Sequence, residues 1–223
     1  MIFANFDFGV IVKWLPLLAE GMEVSLLLTA LAIVGGIAIG AVLALMRLSP
    51  RRALSYTAGF YVNFFRSIPL ILVIFWFYFL VPLITGHPVG RFYSVLIAFT
   101  IFEAAYYCEI IRAGIAGVGR GQRAAGQAIG LTPLQNALYV ILPQAFRNML
   151  PVLVTRGIIM FQDTSLVYVV GLRDFLTTAD IVATRENRTV ELYVFAAAVY
   201  LVICLTASLW ARRLGMRVRR DRA

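Results

Sequence analysis

Charge is what this sequence has least of. Asp, Glu, Lys and Arg together make up 14% of 223 residues, while 61% are hydrophobic, well above the roughly 45–50% of an ordinary soluble domain. A soluble fold of this size has too little interior to hide so much apolar surface, so the excess must face lipid. Lysine is nearly missing. Lys13 is the only one, and Trp14 follows it, so a G-x-x-x-x-G-K-[ST] phosphate loop cannot be written and the chain has no standard ATP-binding loop of its own. Histidine is reduced to His87, in a Gly-His-Pro turn, which excludes a two-histidine zinc site and leaves no metal-ligand set. The two cysteines, Cys108 and Cys204, sit inside apolar runs and read as small hydrophobes rather than a disulfide framework. No Ser-His-Asp set is assembled, so no catalytic residue is expected. The N-terminal stretch has no early positive cluster and no evident cleavage site, and is not expected to be a cleaved signal peptide.

What is present is a series of long apolar runs. A helix needs about 20 mostly apolar residues to cross a bilayer, and five segments qualify: Met22 to Met46, Phe64 to Ile84, Phe92 to Ile115, Phe146 to Val170 and Glu191 to Arg212. The expected fold is therefore all-α, a polytopic membrane protein of five transmembrane helices forming one domain over 1–223. Residues 4–20 are expected to form a short amphipathic piece lying on the outer surface. The net charge of +9 is almost entirely arginine, and the arginines flank the apolar runs, which argues topology rather than nucleic-acid binding. With five spans, one side carries Arg47, Arg51, Arg52, Arg112, Arg120, Arg123, Arg147 and the C-terminal cluster from Arg212 to Arg222, 13 positive residues in all. The other side carries five: Lys13, Arg91, Arg173, Arg185 and Arg188. The positive-inside rule then puts the N-terminus outside and the C-terminus inside. Gly36 and Gly40 form a G-x-x-x-G step that suits close helix approach. Pro69, Pro82 and Pro151 mark places where a helix bends or breaks.

Ionisable groups inside spans are costly and point to function. Arg156 lies about ten residues into the fourth span, near the bilayer midplane at 1.5 Å rise per residue. Asp163 follows two turns later on nearly the same face. A zwitterionic amino acid needs a cation for its carboxylate and an anion for its ammonium, and the arginine fork suits a carboxylate. Arg156 with Gln162, Asp163, Thr164 and Ser165 is thus a candidate binding set. Its structural alternative is an internal arginine–acid pair joining helices. Glu103 is deep in the third span and a further candidate, Arg66 at the end of the second span suits either snorkelling or binding, and Glu109 with Arg112 has the spacing of a helix-face ion pair.

The most informative stretch joins spans three and four, about residues 116–145. Gln122 to Ile129 reads as a short helix of small residues stopped by Gly130, and Thr132-Pro133 as the start of the next helix. This loop resembles the EAA loop of ABC-importer permeases: E-A-A, three residues, Gly, nine residues, then I-x-L-P. Counting from Gly130, Ala124, Ala125 and Gly126 occupy the E-A-A positions, and Val140-Ile141-Leu142-Pro143 falls at the end. Ala124 stands in place of the glutamate and Gly126 in place of an alanine. Phe65-Arg66-Ser67-Ile68-Pro69-Leu70 and the third-span segment Glu103 to Ile115 resemble polar amino-acid permeases. Phe161-Gln162-Asp163-Thr164-Ser165-Leu166-Val167 resembles the glutamate/aspartate branch.

The resemblance implies a type I ABC-importer permease fold in a bacterial inner membrane, moving polar amino acids, glutamate and aspartate first among them, by alternating access. It implies two cytoplasmic ATPase subunits that hold ATP and Mg while this chain binds no cofactor. It also implies a second, homologous permease, a periplasmic amino-acid-binding protein, and lipid around the spans. Arg123, Ala124, Ala125, Gly126, Ala128, Ile129 and Gly130 would form the coupling helix that meets the ATPase. Alternatives are a permease for another polar amino acid, a stand-alone channel or proton-coupled carrier using Arg156 and Asp163, and a structural subunit of a membrane enzyme. The odd span count and the absence of an internal repeat speak against a carrier built from inverted halves.

Overall fold

A computed structural model describes residues 6–220. The described residues contain helices and connecting turns and no strand. Helix α1 spans Phe8–Leu48, α2 Arg52–Arg66, α3 Leu70–Phe75, α4 Val81–Thr85, α5 Arg91–Ala116, α6 Arg120–Ala128, α7 Pro133–Asn136, α8 Leu142–Asp163, α9 Phe175–Glu186 and α10 Thr189–Arg220. Among the described residues four helical runs are long and apolar enough to cross a membrane: Phe8–Leu48, Arg91–Ala116, Pro133–Val170 and Thr189–Arg213. A fifth span exists if Arg52–Arg66 and Leu70–Thr85 are taken as one broken span. At 1.5 Å per residue, the 26 residues of α5 reach about 39 Å, enough for a hydrocarbon core of about 30 Å.

Three sequence expectations are corrected. The stretch 4–20, expected as a separate surface piece, is continuous with the first span from Phe8 onward; Met1 to Asn5 lie outside the described residues. Pro16 falls inside α1 without ending it, and Val10 and Leu18 are packed in a cluster with Phe175, Ala179, Val182, Ala183, Leu192 and Ala196, so this segment has a protein face to bury. The second span does not start at Phe64. The chain breaks at Ser67-Ile68-Pro69, where Ser67 caps α2 by donating its amide to the Asn63 and Phe64 carbonyls. Pro69 disfavours helix at the residue before it and begins a new element. The fourth span does not start at Phe146 either, because the helical run already begins at Pro133.

The last correction has a local cause. Ala137–Ile141 is a π-helical turn in which the Leu142 amide donates to Ala137 five residues back, and Pro143 follows at once. Trp76–Leu80 repeats this arrangement, with the Val81 amide donating to Trp76 and Pro82 next. A proline ring clashes with the carbonyl four residues back, and widening the preceding turn by one residue relieves the clash without ending the helix. Proline thus marks a π-turn at these two places rather than a boundary.

By contacts the chain divides into two compact units. One comprises the segment ending at Ile33 with Leu70–Phe99 and Gly157–Ala207, and the other Val34–Pro69 with Thr100–Arg156 and the chain from Ser208 onward. The first unit has the apolar cluster just named and α9, a helix that the span pattern does not mark. Asp174 caps α9 by accepting from the Leu176 and Thr177 amides, and Asn187 ends it at φ 53°. The second unit is built on close helix approach. A Cβ on Gly40 would stand 2.8 Å from Tyr107 Cβ and 2.9 Å from the Cys108 amide nitrogen, and one on Gly36 would stand 2.9 Å from Glu103 Cβ. The G-x-x-x-G step therefore does bring α1 against α5, as small residues in membrane helices allow. Cys108 and Cys204 are both buried thiols.

Candidate functional site

The glycine step has a consequence for charge. It presses α1 onto the turn of α5 that bears Glu103, and the Glu103 carboxylate is fully buried. A lone carboxylate there would be expensive. Its partner is Arg156 on α8: Nε donates to Oε2 at 2.9 Å, and Nη2 donates to Oε1 in a second, short contact. The pair is bidentate, the strong geometry for arginine and carboxylate. The face of the guanidinium is covered by the Tyr106 ring, whose centroid is 3.7 Å from Arg156 Cζ. Arg66, the last residue of α2, approaches the same ring, with Cζ 5.6 Å from the centroid. Tyr106 therefore carries two guanidinium groups, one neutralised by Glu103 and one exposed.

Further along α5, Glu109 binds Arg112 at 2.7 Å and Arg47 at 3.5 Å. This is the helix-face pair expected from the i, i+3 spacing, with a second arginine added from α1. A pocket of about 390 Å³ opens beside it, lined by Arg66, Glu109, Ile110, Asn148, Met149 and Val152 among others. That volume lies within the range of small-molecule sites.

The remaining predicted site residues lie in the other unit. Asp163 is the last residue of α8, after which the helix tightens into a 3-10 run, Thr164–Val170, stopped by Gly171 at φ 66°. Seven residues of 3-10 helix is long for a geometry that ordinarily closes the last turn of a helix. Thr164 is fully buried and donates its hydroxyl to the Phe161 carbonyl at 2.7 Å, so it faces the interior. Ser165 donates to the Gln162 carbonyl at 2.8 Å. Gln162 and Ser165 line a pocket of about 300 Å³ with Leu176, Tyr193, Ala197 and Tyr200. The predicted residues are thus gathered into two sets: Glu103, Arg156 and Arg66 around Tyr106, and Gln162 and Ser165 around the second pocket. The carboxylate that holds Arg156 is Glu103. The sequence places Asp163 beside Arg156 in a binding set and leaves an arginine–acid pair joining two helices as the alternative; it does not identify the acid, because periodicity relates residues on one helix and is blind to a neighbour on another.

Tyr106, Asn148, Tyr193 and Tyr200 are not among the residues the sequence singles out. Tyr106 carries a usable signal, because an aromatic three residues after an intramembrane glutamate lies on the same helix face.

The loop helix forms where the sequence places it, beginning two residues before Gln122 and ending at Ala128, with Ile129 as its cap. α6 covers Arg120–Ala128, Gly130 takes φ 82°, and Thr132 caps α7 in a complete capping box with Gln135. Among its predicted coupling residues, Ala124, Ala125, Ala128 and Ile129 are exposed, with Ile129 at 77%, and Gly126 is buried. Arg123 donates from Nη2 to the Ile115 carbonyl at 3.2 Å, at the end of α5. The Gln144 amide reaches Gln122 Oε1 at 3.2 Å.

Apolar helices of spanning length, with ion pairs among them and a short exposed helix between two of them, define a polytopic helical membrane protein. The chain belongs to the family described as the binding-protein-dependent transport system inner membrane component, whose model matches residues 36–220. It is 48% identical over 220 residues to the glutamate/aspartate import permease protein GltK of Escherichia coli, covering 96% of this chain and 98% of that one. It is 31% identical over 216 residues to the glutamine transport system permease protein GlnP of Escherichia coli, covering 96% and 99%. Among solved structures, an amino acid ABC transporter crystallised with histidines matches with a TM-score of 0.87 at 35% identity, over 96% of this chain and 98% of that chain. The methionine transporter MetNI shares the fold, with a TM-score of 0.72 at 22% identity over 91% and 98%. The chain is a permease subunit of an amino-acid ABC importer and an inner-membrane component.

Proposed function

We propose that this permease imports glutamate and aspartate, and that the spans around Arg66, Glu103 and Arg156 carry part of the substrate route. The observation that carries the reading is the charge balance of one unit. Glu103 and Glu109 are set among Arg47, Arg66, Arg112 and Arg156, four arginines against two carboxylates. Such an excess of positive charge favours a substrate with a net negative charge. The relative at 48% identity, a glutamate/aspartate import permease, points the same way. Arg156 is pinned by Glu103 and stacked on Tyr106, so it serves as a fixed fork, while Arg66 at the pocket rim meets the incoming carboxylate. Gln162, Asp163, Thr164 and Ser165 are proposed as substrate-binding residues of the other unit by itself, where Gln162 and Ser165 line a pocket and Thr164 holds the turn.

In this reading the whole chain works as one permease domain with its N-terminus outside and C-terminus inside. It joins a homologous permease, two cytoplasmic ATPases that carry ATP and Mg, and a periplasmic amino-acid-binding protein. The helix α6, with Arg123, Ala124, Ala125, Gly126, Ala128, Ile129 and Gly130, is the coupling helix. Closure of the ATPases moves it, and the membrane cavity turns outward to receive substrate. Exposed Ile129, Leu134 and Leu138 give the loop an apolar surface for that contact.

The test is ATP-driven uptake of radiolabelled glutamate and aspartate into proteoliposomes holding the complete complex, with glutamine as competitor. Uptake of both acids, a raised KM for glutamate in Arg66→Gln, and lost uptake in an assembled Arg156→Ala complex are expected. Uptake of glutamine alone would remove the acidic-substrate reading and leave the family. Normal uptake by Arg156→Ala would leave the Glu103–Arg156 pair a purely structural one.

A further inference from the structure

The loop helix contains a contact that neither its composition nor its resemblance explains. Gly126 is the one buried residue of α6, and it stands where the resembled pattern has alanine. A Cβ on Gly126 would lie 2.6 Å from Asn136 Cγ and 2.9 Å from its Nδ2, and closer still to its Oδ1. The Asn136 side chain therefore occupies the place of the missing methyl group. Asn136 is 3% exposed and is the last residue of α7. Its Nδ2 donates to the Arg123 carbonyl of α6 at 2.8 Å, and its buried Oδ1 has no hydrogen-bond partner among the described residues. An asparagine that gives up one acceptor inside a loop made of small residues is held there by its other contacts.

We propose that Asn136 is a positioning residue that locks the coupling helix α6 to the foot of the helical run Pro133–Val170, and that Gly126 is its matched socket. The proposal rests on the reading of α6 as the coupling helix. Asn136 sits at the base of the run that carries Arg156 further along, so a displacement of α6 reaches that run through the Arg123 carbonyl and the Gly126 socket. The π-turn Ala137–Ile141 comes directly after Asn136, and the Thr132–Gln135 capping box directly before it fixes the start of α7. The amide cannot swing aside to admit a methyl group without its Nδ2 losing the Arg123 carbonyl, and Oδ1 is already enclosed. Alanine at 126 therefore displaces the asparagine at 136 at the cost of that hydrogen bond. Alanine at both positions removes the clash, and the bracing hydrogen bond with it.

The experiment measures substrate transported per ATP hydrolysed in proteoliposomes of the complete complex, for Gly126→Ala, Asn136→Ala and the double variant, with assembly checked by co-purification of the ATPase. Overpacking at a tied site is costly, and contacting residues couple. Gly126→Ala is expected to lower the ratio by about tenfold, Asn136→Ala by a few fold, and the double variant to recover to the level of Asn136→Ala. If Gly126→Ala fails to assemble, recovery of assembly in the double variant carries the same result. A Gly126→Ala complex with the wild-type ratio would overturn the proposal, as would a double variant no better than Gly126→Ala. Ile129→Asp, on the exposed end of α6, is the control for the coupling reading itself. It is expected to lose the ATPase; if it transports normally, the coupling reading falls and takes the proposal with it, even if the suppression between 126 and 136 persists.

Discussion

The two units of the chain each bury a carboxylate completely, and they satisfy it by opposite means. Glu103 in one unit is met by a cation, with both oxygens on the Arg156 guanidinium. Asp174 in the other is met by neutral donors: the Leu176 amide at 3.2 Å, the Thr177 amide at 2.9 Å and, in a short contact, the Thr177 hydroxyl. Asp174 caps a helix N-terminus, where free amides and the helix dipole favour negative charge. Its neighbourhood is tied together as well, since Ser25 Oγ accepts from the Phe175 amide and Gly21 leaves room for the Asp174 carbonyl and the Thr178 hydroxyl. A carboxylate at a helix end borrows its solvation from the backbone and serves structure. One in mid-helix, with the local amides already spent, requires a charge from another element, and such charges are what a transport route can use.

The largest expected effect comes from breaking that difference at Glu103. Glu103→Gln leaves the Arg156 charge buried without its anion, and removing one member of a buried pair costs about 3–5 kcal/mol. The double variant Glu103→Gln with Arg156→Met removes the charge altogether and is expected to restore most of the lost stability but no transport. Apparent thermal midpoints of the detergent-solubilised complex, read beside uptake, test this. A double variant as unstable as the single would show that the charges do not depend on each other.

A smaller effect sharpens the comparison from the other side. Asp174→Asn keeps a good capping side chain and is expected to cost well under Glu103→Gln, whereas Asp174→Ala loses the cap at about 1–2 kcal/mol. The pH dependence follows its own sign. Burial raises the Asp174 pKa above the usual carboxylate value, against the hydrogen bonds that lower it. The folded form thus holds its proton more tightly than the unfolded form. Its contribution to stability is complete below the ordinary carboxylate pKa and is lost as pH climbs through the raised one. Asp174→Asn is expected to flatten that limb of the stability profile. An unchanged limb would assign it to another group.

How much of this is legible in the sequence follows from what each signal measures. The third apolar run matches α5 to within one residue at each end, Phe92 to Ile115 against Arg91–Ala116, because turns with Gly and Pro bound an unbroken apolar stretch. The loop helix is legible because Gly130 and Thr132-Pro133 are local punctuation with a direct backbone meaning. The starts of the second and fourth spans are not, because the chain breaks at Ser67-Ile68-Pro69 before the one and Pro143 is absorbed by a π-turn in the other, and nothing in hydropathy distinguishes a proline that ends a helix from one that widens a turn. Helix α9 escapes notice although Asp174 before Phe175-Leu176-Thr177 is an N-cap signature, since 12 residues between two spans invite the reading of a loop. For the site, depth in the span singles out Arg156 and Glu103 separately. Their pairing depends on how α5 and α8 pack, which single-sequence periodicity does not encode.

The smallest effect belongs to the ion pair at the surface of the Asp174 unit. Glu186, at the end of α9, accepts from Lys13 Nζ and Trp14 Nε1, each at 2.8 Å, while Arg185 lies 4.7 Å from the Trp14 ring centroid. Lys13 is 60% exposed, so salt screens the pair and most of its attraction is already available from water. The hydrogen bond from Lys13, then that from Trp14, holds the Glu186 pKa below the usual glutamate value. A lowered folded-state pKa contributes stability above the ordinary value, and that contribution is lost as pH falls through the lowered one. Glu186 and Asp174 therefore tilt the profile in opposite directions at opposite ends of α9. Glu186→Gln is expected to remove a slight acid destabilisation that is visible at low ionic strength and absent at high salt. Because glutamine still accepts from Trp14, the first turns of α1 should stay docked on α9, and the fluorescence of Trp14, followed in a variant lacking the other two tryptophans, should keep its wild-type maximum. A shifted maximum would mean that charge, rather than the apolar contacts of Val10 and Leu18, holds that segment in place.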